Sequence, residues 1–186
     1  MRMKTAICAA LLLVCFHHTA PAEVIDSSAG GFTVKHAVRI AAPPADVYRR
    51  MTDDVGHWWN SSHTFSGNSL NLSIDPHAGG CFCEKLSDGG SVMHMVVVYA
   101  DPGKVIRLKG GIGPLQALGV AGSMTWSFEA DGSATRLEVV YAVGGYNPHG
   151  LQGMSMAVDR VLGEQVARLK NLIETGEAGK SAPTYK

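Results

Sequence analysis

"LQGMSMAVDRVLGEQVARLKNLIETG", residues 151 to 176, places apolar side chains at Leu151, Met154, Val158, Val161, Leu162, Val166, Leu169, Leu172 and Ile173, with Gln165 on the same line. This i, i+3, i+4, i+7 recurrence predicts a helix with one apolar stripe, and Asp159, Arg160, Glu164, Arg168 and Lys170 fall on the opposite side. Pro148-His149-Gly150 opens the helix and Gly176 stops it. At about 25 residues it would run roughly 37 Å. An apolar stripe of that length needs a broad partner, and a curved antiparallel sheet is the obvious one.

The rest of the chain supplies such a sheet. From Phe32 the pattern alternates, with Val34, His36, Val38 and Ile40 on one face of a strand. Pro43-Pro44 ends it, and "PPADVYRRMTDDVGHWW" follows with Val47, Met51 and Val55 spaced for two short helices. Six more strands are predicted in "SLNLSID", "CFCEKL", "VMHMVVVYA", "KVIRLKG", "GSMTWSFEA" and "TRLEVVYAV". "SDGGS", "DPGK" and "ADGSA" are hairpin connections, because Gly and Asp accept the positive φ that tight turns require. The fold class is therefore α+β, with seven antiparallel strands, two short helices after the first, and a long C-terminal helix.

The N-terminus reads as an address rather than as fold. Arg2 and Lys4 precede an apolar run, Ala6 to Phe16, too short to span a bilayer, and Ala20-Pro21-Ala22 offers small residues for a signal peptidase. The expectation is a signal peptide over 1–22, an N-terminal extension over 23–31, one domain over 32–176 and a tail over 177–186. Cleavage after Ala22 would export the protein, in a bacterium to the periplasm. Removing 22 of the 186 residues leaves 164, enough for a single core. It also removes Arg2 and Lys4, so 14 basic residues face 16 acidic ones and the net charge becomes −2. No Lys/Arg run remains, which argues against nucleic acid, and no second apolar run is long enough for a membrane helix. Of four cysteines only Cys81 and Cys83 would remain, so the core and not a disulfide framework must hold the domain.

The order strand, two short helices, six strands, long helix resembles the START-like, or helix-grip, superfamily, also called SRPBCC. Within it the chain looks most like the branch named for activators of the heat-shock-protein-90 ATPase. The resemblance rests on "IAAPPADVYRRMT", on the tryptophans of "GHWW", on Gly79-Gly80 opening a strand, and on "VDRVLGEQVARLKNLIETG". It implies a seven-stranded curved sheet wrapped around the C-terminal helix with an apolar cavity between them. Members bind lipids, hormones or polyketides, a minority catalyse cyclisation or hydrolysis, and some assist chaperones. The fold does not choose among these, and an exported chain would not meet a cytosolic chaperone.

The residues "GGCFCEKLSDGGSVMHM", 79 to 95, concentrate the candidate chemistry. Cys81 and Cys83 share a strand face, where buried free thiols are expected, and a disulfide would need a bulge to bring them together. A three-residue loop, Asp88-Gly89-Gly90, would turn Phe82, Glu84, Leu86 and His94 toward the cavity and Cys81, Cys83, Met93 and Met95 outward. Glu84 and His94 would then anchor a polar ligand group or, in an enzyme, serve as acid and base. Cys81, Cys83, Met93 and Met95 would form a soft cluster suited to Cu(I), though no flanking ligands support it, and the reading assigns no metal.

Elsewhere Trp58, Trp59 and His63 are placed at one rim of the cavity, with Tyr99, Trp126, Tyr141 and Tyr146 as further lining. "GGIGPLQALGVAG", 110 to 122, matches neither the phosphate loop nor GxGxxG, so no nucleotide cofactor is assigned. Its apolar, glycine-rich character suggests a lid carrying Ile112, Leu115 and Leu118. "GMSMA" at 153–157 fails GxSxG and lies inside the helix pattern. The function expected is binding of a small hydrophobic molecule, lipid-like or aromatic, with no cofactor. The alternatives are a cyclase or hydrolase using Glu84 and His94, and a copper or redox protein using the cysteine hairpin. No protein partner is indicated.

Overall fold

The structure is a computed structural model that describes residues 23–179. The signal peptide expected over 1–22, and all of the expected tail after residue 179, lie outside the described residues. Strands β1 (Glu23–Ser28), β2 (Gly31–Ile40), β3 (Leu72–Ile74), β4 (Cys81–Lys85), β5 (Ser91–Asp101), β6 (Val105–Gly110), β7 (Gly119–Asp131) and β8 (Ala134–Tyr146) form one sheet. All neighbours are antiparallel, in the order β1-β2-β8-β7-β6-β5-β4-β3. Helices α1 (Pro44–Asp53) and α2 (Val55–Trp58) carry the chain from β2, inside the sheet, to β3 at its far edge.

Eight strands replace the seven expected. The segment 23–31, expected as an extension, supplies β1 and a tight turn into β2, with Ser28 opposite Gly31 and Val24 opposite Val34. β1 sits on the sheet edge with Ile25 half exposed, so it lacks the apolar alternation that marks the buried strands.

The inner face of the sheet is a continuous core. Val34, Leu108, Met124, Trp126, Leu137 and Val139 are buried there, and Leu162, Val166 and Leu169 of α3 (Ser155–Thr175) belong to the same cluster. α1 adds Val47 and Met51. α3 begins four residues later than expected, because 152–154 form a 3-10 turn, and it ends at Gly176 with φ of 84°.

The polar side chains of α3, Gln165 of the buried stripe among them, are not simply solvated. Arg168 Nε donates to the Trp58 carbonyl at 2.8 Å, Gln165 Oε1 accepts the Asn60 N–H at 2.8 Å, and Lys170 Nζ donates to the Arg39 carbonyl at 2.6 Å. The first two contacts clamp the end of α2 and the residues after it onto the helix, and the third ties the helix to β2. Asp159 faces His36 of β2, and Gly163 makes room for that imidazole: a Cβ on Gly163 would stand 2.8 Å from His36 Cε1.

Candidate functional site

A cavity of about 640 Å³ opens where three segments meet. The segment after α2 contributes Trp59, Ser62, His63, Thr64 and Phe65. The β6–β7 connection contributes Ile112, Gly113, Pro114, Gln116 and Ala117. The start of α3 contributes Gly153, Met154, Ala157, Val158 and Val161. Most of these side chains are apolar, so the cavity favours a ligand that is mainly hydrocarbon or aromatic.

Local chemistry explains why these segments stand where they do. Trp59 buries its ring against Phe82, with centroids 5.2 Å apart, and donates Nε1–H to the His63 carbonyl at 3.1 Å. Leu115 is fully buried and pins the β6–β7 connection, while Gln116 Nε2 donates to the Met93 carbonyl. The Tyr141 hydroxyl donates to the Gly110 carbonyl at 3.0 Å. Burial pushes that phenol up to about 12, so it remains a donor throughout the physiological range. Gly122 lets the ring lie flat on β7, since a Cβ there would stand 2.3 Å from Tyr141 Cε2.

Of the residues expected at a ligand, Trp59, His63 and Ile112 line the cavity. Trp58, Phe82, Leu115, Trp126 and Tyr141 are buried but form no part of its lining, and Leu118 is half-buried outside it. Trp58 instead donates Nε1–H to the Met51 carbonyl and packs on Trp126. Tyr99 and Tyr146 lie on the outer face, 48% and 74% exposed, and are corrected as lining residues. A bulge at Val98 turns Tyr99 outward, where it stacks under Arg107. Tyr146 has the outward parity of β8, whose buried residues Leu137, Val139, Tyr141 and Val143 are odd-numbered.

Glu84 and His94 come together, His94 Nε2 lying 3.0 Å from Glu84 Oε2, but neither lines the cavity. The carboxylate also accepts the backbone N–H groups of Phe65 and Ser66. Burial pushes the Glu84 carboxyl up, yet the hydrogen bonds from Ser66, Phe65 and His94 together outweigh it and hold the carboxyl below its ordinary value. Burial lowers His94, and pairing with Glu84 only partly restores it. The pair is thus a carboxylate and a neutral imidazole donating Nε2–H, with both carboxylate oxygens already accepting from the protein. What it does is fasten the 65–66 backbone, and with it Phe65, at the cavity wall.

The hairpin that delivers the pair departs from the expected register. Its loop is Ser87-Asp88-Gly89, closed by the Leu86 N–H on the Gly90 carbonyl, with Asp88 and Gly89 at positive φ. Cys83 pairs with Met93 but Phe82 pairs with Met95, so His94 is the extra residue of a bulge. Met95 is therefore buried on the inner face while Met93 stays exposed, and the four soft side chains do not gather on one face. The cysteines are not free thiols: Cys81 and Cys83 form a disulfide with Cα atoms 5.4 Å apart, inside the span a bridge accepts. Their sulfurs are committed to each other, and the Cu(I) cluster is dropped.

A second carboxylate–histidine pair lies at the cavity itself and involves a residue the sequence pattern hid. His63 Nε2 is 3.2 Å from Glu164 Oε2, and the Asn60 side-chain amide donates to the other oxygen of Glu164. Glu164 falls on the polar side of the helix pattern and reads as solvated. The apolar stripe likewise names Met154, Val158 and Val161 without telling which helix turns face a void and which face the sheet.

A family model described as polyketide cyclase / dehydrase and lipid transport matches residues 31–174. The chain belongs to this family. The match starts at the first residue of β2, so β1 precedes the family's domain. No curated protein matches the sequence. Among solved structures, a protein from Arthrobacter aurescens superposes with a TM-score of 0.61 at 14% identity, over 90% of this chain and 99% of that one. The Aha1 dimer from Colwellia psychrerythraea gives 0.52 at 19% identity, over 77% and 97%. DynU16, from the dynemicin biosynthetic locus, gives 0.55 at 19% identity, over 78% of this chain but only 48% of DynU16. At these identities the likeness establishes the helix-grip fold of the polyketide cyclase / dehydrase and lipid transport family, with one strand added to the seven expected.

Proposed function

We propose that this protein is exported and binds a small hydrophobic molecule, lipid-like or aromatic, between the start of α3 and the 59–65 and 112–117 segments. The observation that carries the reading is the cavity: about 640 Å³ walled by Trp59, Phe65, Ile112, Pro114, Val158 and Val161. That volume falls in the range of sites for drug-sized ligands, roughly 300–1,000 Å³. The family's description, which pairs cyclases with lipid transport, is compatible with such a ligand. Export draws support from the leader-like 1–22 sequence and from the Cys81–Cys83 disulfide, a bond that persists in oxidising compartments. A cyclase or hydrolase working through Glu84 and His94 draws no such support, since neither residue lines the cavity and both carboxylate oxygens already accept from the protein.

Native mass spectrometry of protein purified from its own host tests both halves. The expected spectrum shows a chain beginning at Glu23 with a lipid-like or aromatic mass attached. A chain still carrying residues 1–22 contradicts export. An unliganded chain that also fails to take up small apolar probes contradicts the binding reading.

A further inference from the structure

The polar groups at the cavity wall are not equivalent. Thr64 Oγ1 donates to the Ser61 carbonyl and Gln116 Nε2 to the Met93 carbonyl, while Ser62 is exposed and faces water. His63 differs from all of them. Its N–H bonds the Asn60 carbonyl, its carbonyl accepts from Trp59, and its Nε2 meets Glu164, whose other oxygen is held by Asn60. The backbone of His63 is thus held at both its N–H and its carbonyl and the ring at Nε2, and its Nδ1 has no partner among the described residues.

A carboxylate can only accept, so Glu164 requires the hydrogen of His63 on Nε2. In the neutral ring this places the single proton on Nε2 and leaves a lone pair at Nδ1. We propose that His63, oriented by Glu164, is the hydrogen-bond acceptor for a hydroxyl group on an otherwise apolar ligand, and that the cavity selects phenol- or alcohol-bearing molecules over capped or anionic ones. This rests on the cavity-binding reading above. His63 is the contacting residue and Glu164 the positioning one, acting only through the tautomer it imposes. An anionic ligand is disfavoured by the same arrangement, because the lone pair of Nδ1 and the Glu164 charge both repel it.

The test uses three probes of one shape: 2-naphthol, 2-methoxynaphthalene and 2-naphthoate, titrated by calorimetry or by quenching of tryptophan fluorescence. Partition into an apolar medium favours the ether over the naphthol, so any preference for naphthol reports a hydrogen bond. The expected result is naphthol binding about tenfold tighter than the ether, with naphthoate weakest. In His63→Leu, shown to be folded by its cooperative thermal unfolding, the preference for naphthol over the ether disappears, and a preference that persists there overturns the proposal. Nitrogen-15 spectra of the His63 ring should show the Nε2–H tautomer in the native chain and a tautomer mixture in Glu164→Leu, with the naphthol preference reduced in step. Equal binding of naphthol and ether, or tightest binding of naphthoate, overturns the proposal and leaves the cavity reading standing. Failure of all three probes to bind overturns both.

Discussion

Glu84 Oε2 accepts from His94 Nε2 at 3.0 Å while the same carboxylate holds the Phe65 and Ser66 backbone, so two buried strand residues anchor one wall of the cavity. Glu84 is 1% exposed, and removing it leaves two backbone donors and an imidazole without their acceptor. Leaving buried donors unsatisfied in this way costs about 1–3 kcal/mol for each one that stays unpaired. Glu84→Ala is expected to lower unfolding free energy in urea by that order, and Glu84→Gln by less, because its amide oxygen still accepts. A Glu84→Ala loss below about 1 kcal/mol, the scale of an exposed pair, contradicts the role assigned to this carboxylate.

Acidification should destabilise the fold before any carboxylate titrates. Burial lowers both His36 and His94 from the ordinary 6.5, against partial restoration by Asp159 and Glu84. His36 Nε2 lies 3.0 Å from Asp159 Oδ1, but the two lack hydrogen-bond geometry, so the pairing offsets burial only in part. Between the folded and unfolded values the unfolded chain binds more protons, so stability is full above about 6.5 and falls as pH drops through the folded values. Urea midpoints should therefore decline from pH 7.5 to pH 5, and less steeply in His36→Asn. Glu84 is lowered from 4.5 and keeps its contribution throughout that interval. A midpoint that holds or rises on acidification contradicts the burial of neutral imidazoles.

Gly122 and Tyr141 couple β7 to the cavity wall. A methyl at residue 122 would stand 2.3 Å from the Tyr141 ring, whose hydroxyl holds the Gly110 carbonyl just before Ile112. Gly122→Ala should cost about 1–3 kcal/mol as an overpacking change and weaken binding of apolar probes. Tyr141→Phe, which keeps the ring, should cost nearer 1 kcal/mol. Gly122→Ala at native stability and affinity contradicts the fit.

The disulfide closes a very short loop. For a ring of about three residues the chain-entropy model gives about 1.6 kcal/mol. In a chain starting at Glu23, thiol titration in denaturant should find no free thiol before reduction and two after. Cys81→Ala with Cys83→Ala should lower stability by about 1–2 kcal/mol without unfolding the domain. Two free thiols before reduction contradict the bridge.

Much of this architecture was legible because it rests on long periodic stretches. The stripe from Leu151 to Ile173 and the alternation from Val34 to Ile40 each repeat often enough to name an element and its face. What escaped was set by single residues. One bulge at His94 buries Met95, and another at Val98 turns Tyr99 to the outside. Neither bulge has a local pattern, because it arises from the neighbouring strands' requirements. β1 was hidden by its position on the sheet edge, where apolar alternation is not needed. Glu164 was hidden for a different reason: on a helix an acceptor for a neighbouring loop and a solvated charge look alike.

The central claim is that the space beside Val161 holds a ligand. Titration of 2-methoxynaphthalene into the native protein and Val161→Trp, which fills that space, tests it most directly. Saturable one-to-one binding to the native chain, weakened at least about tenfold in a Val161→Trp protein of native thermal stability, is the predicted result. Equal affinity for both proteins, or no saturable binding to the native chain, contradicts it.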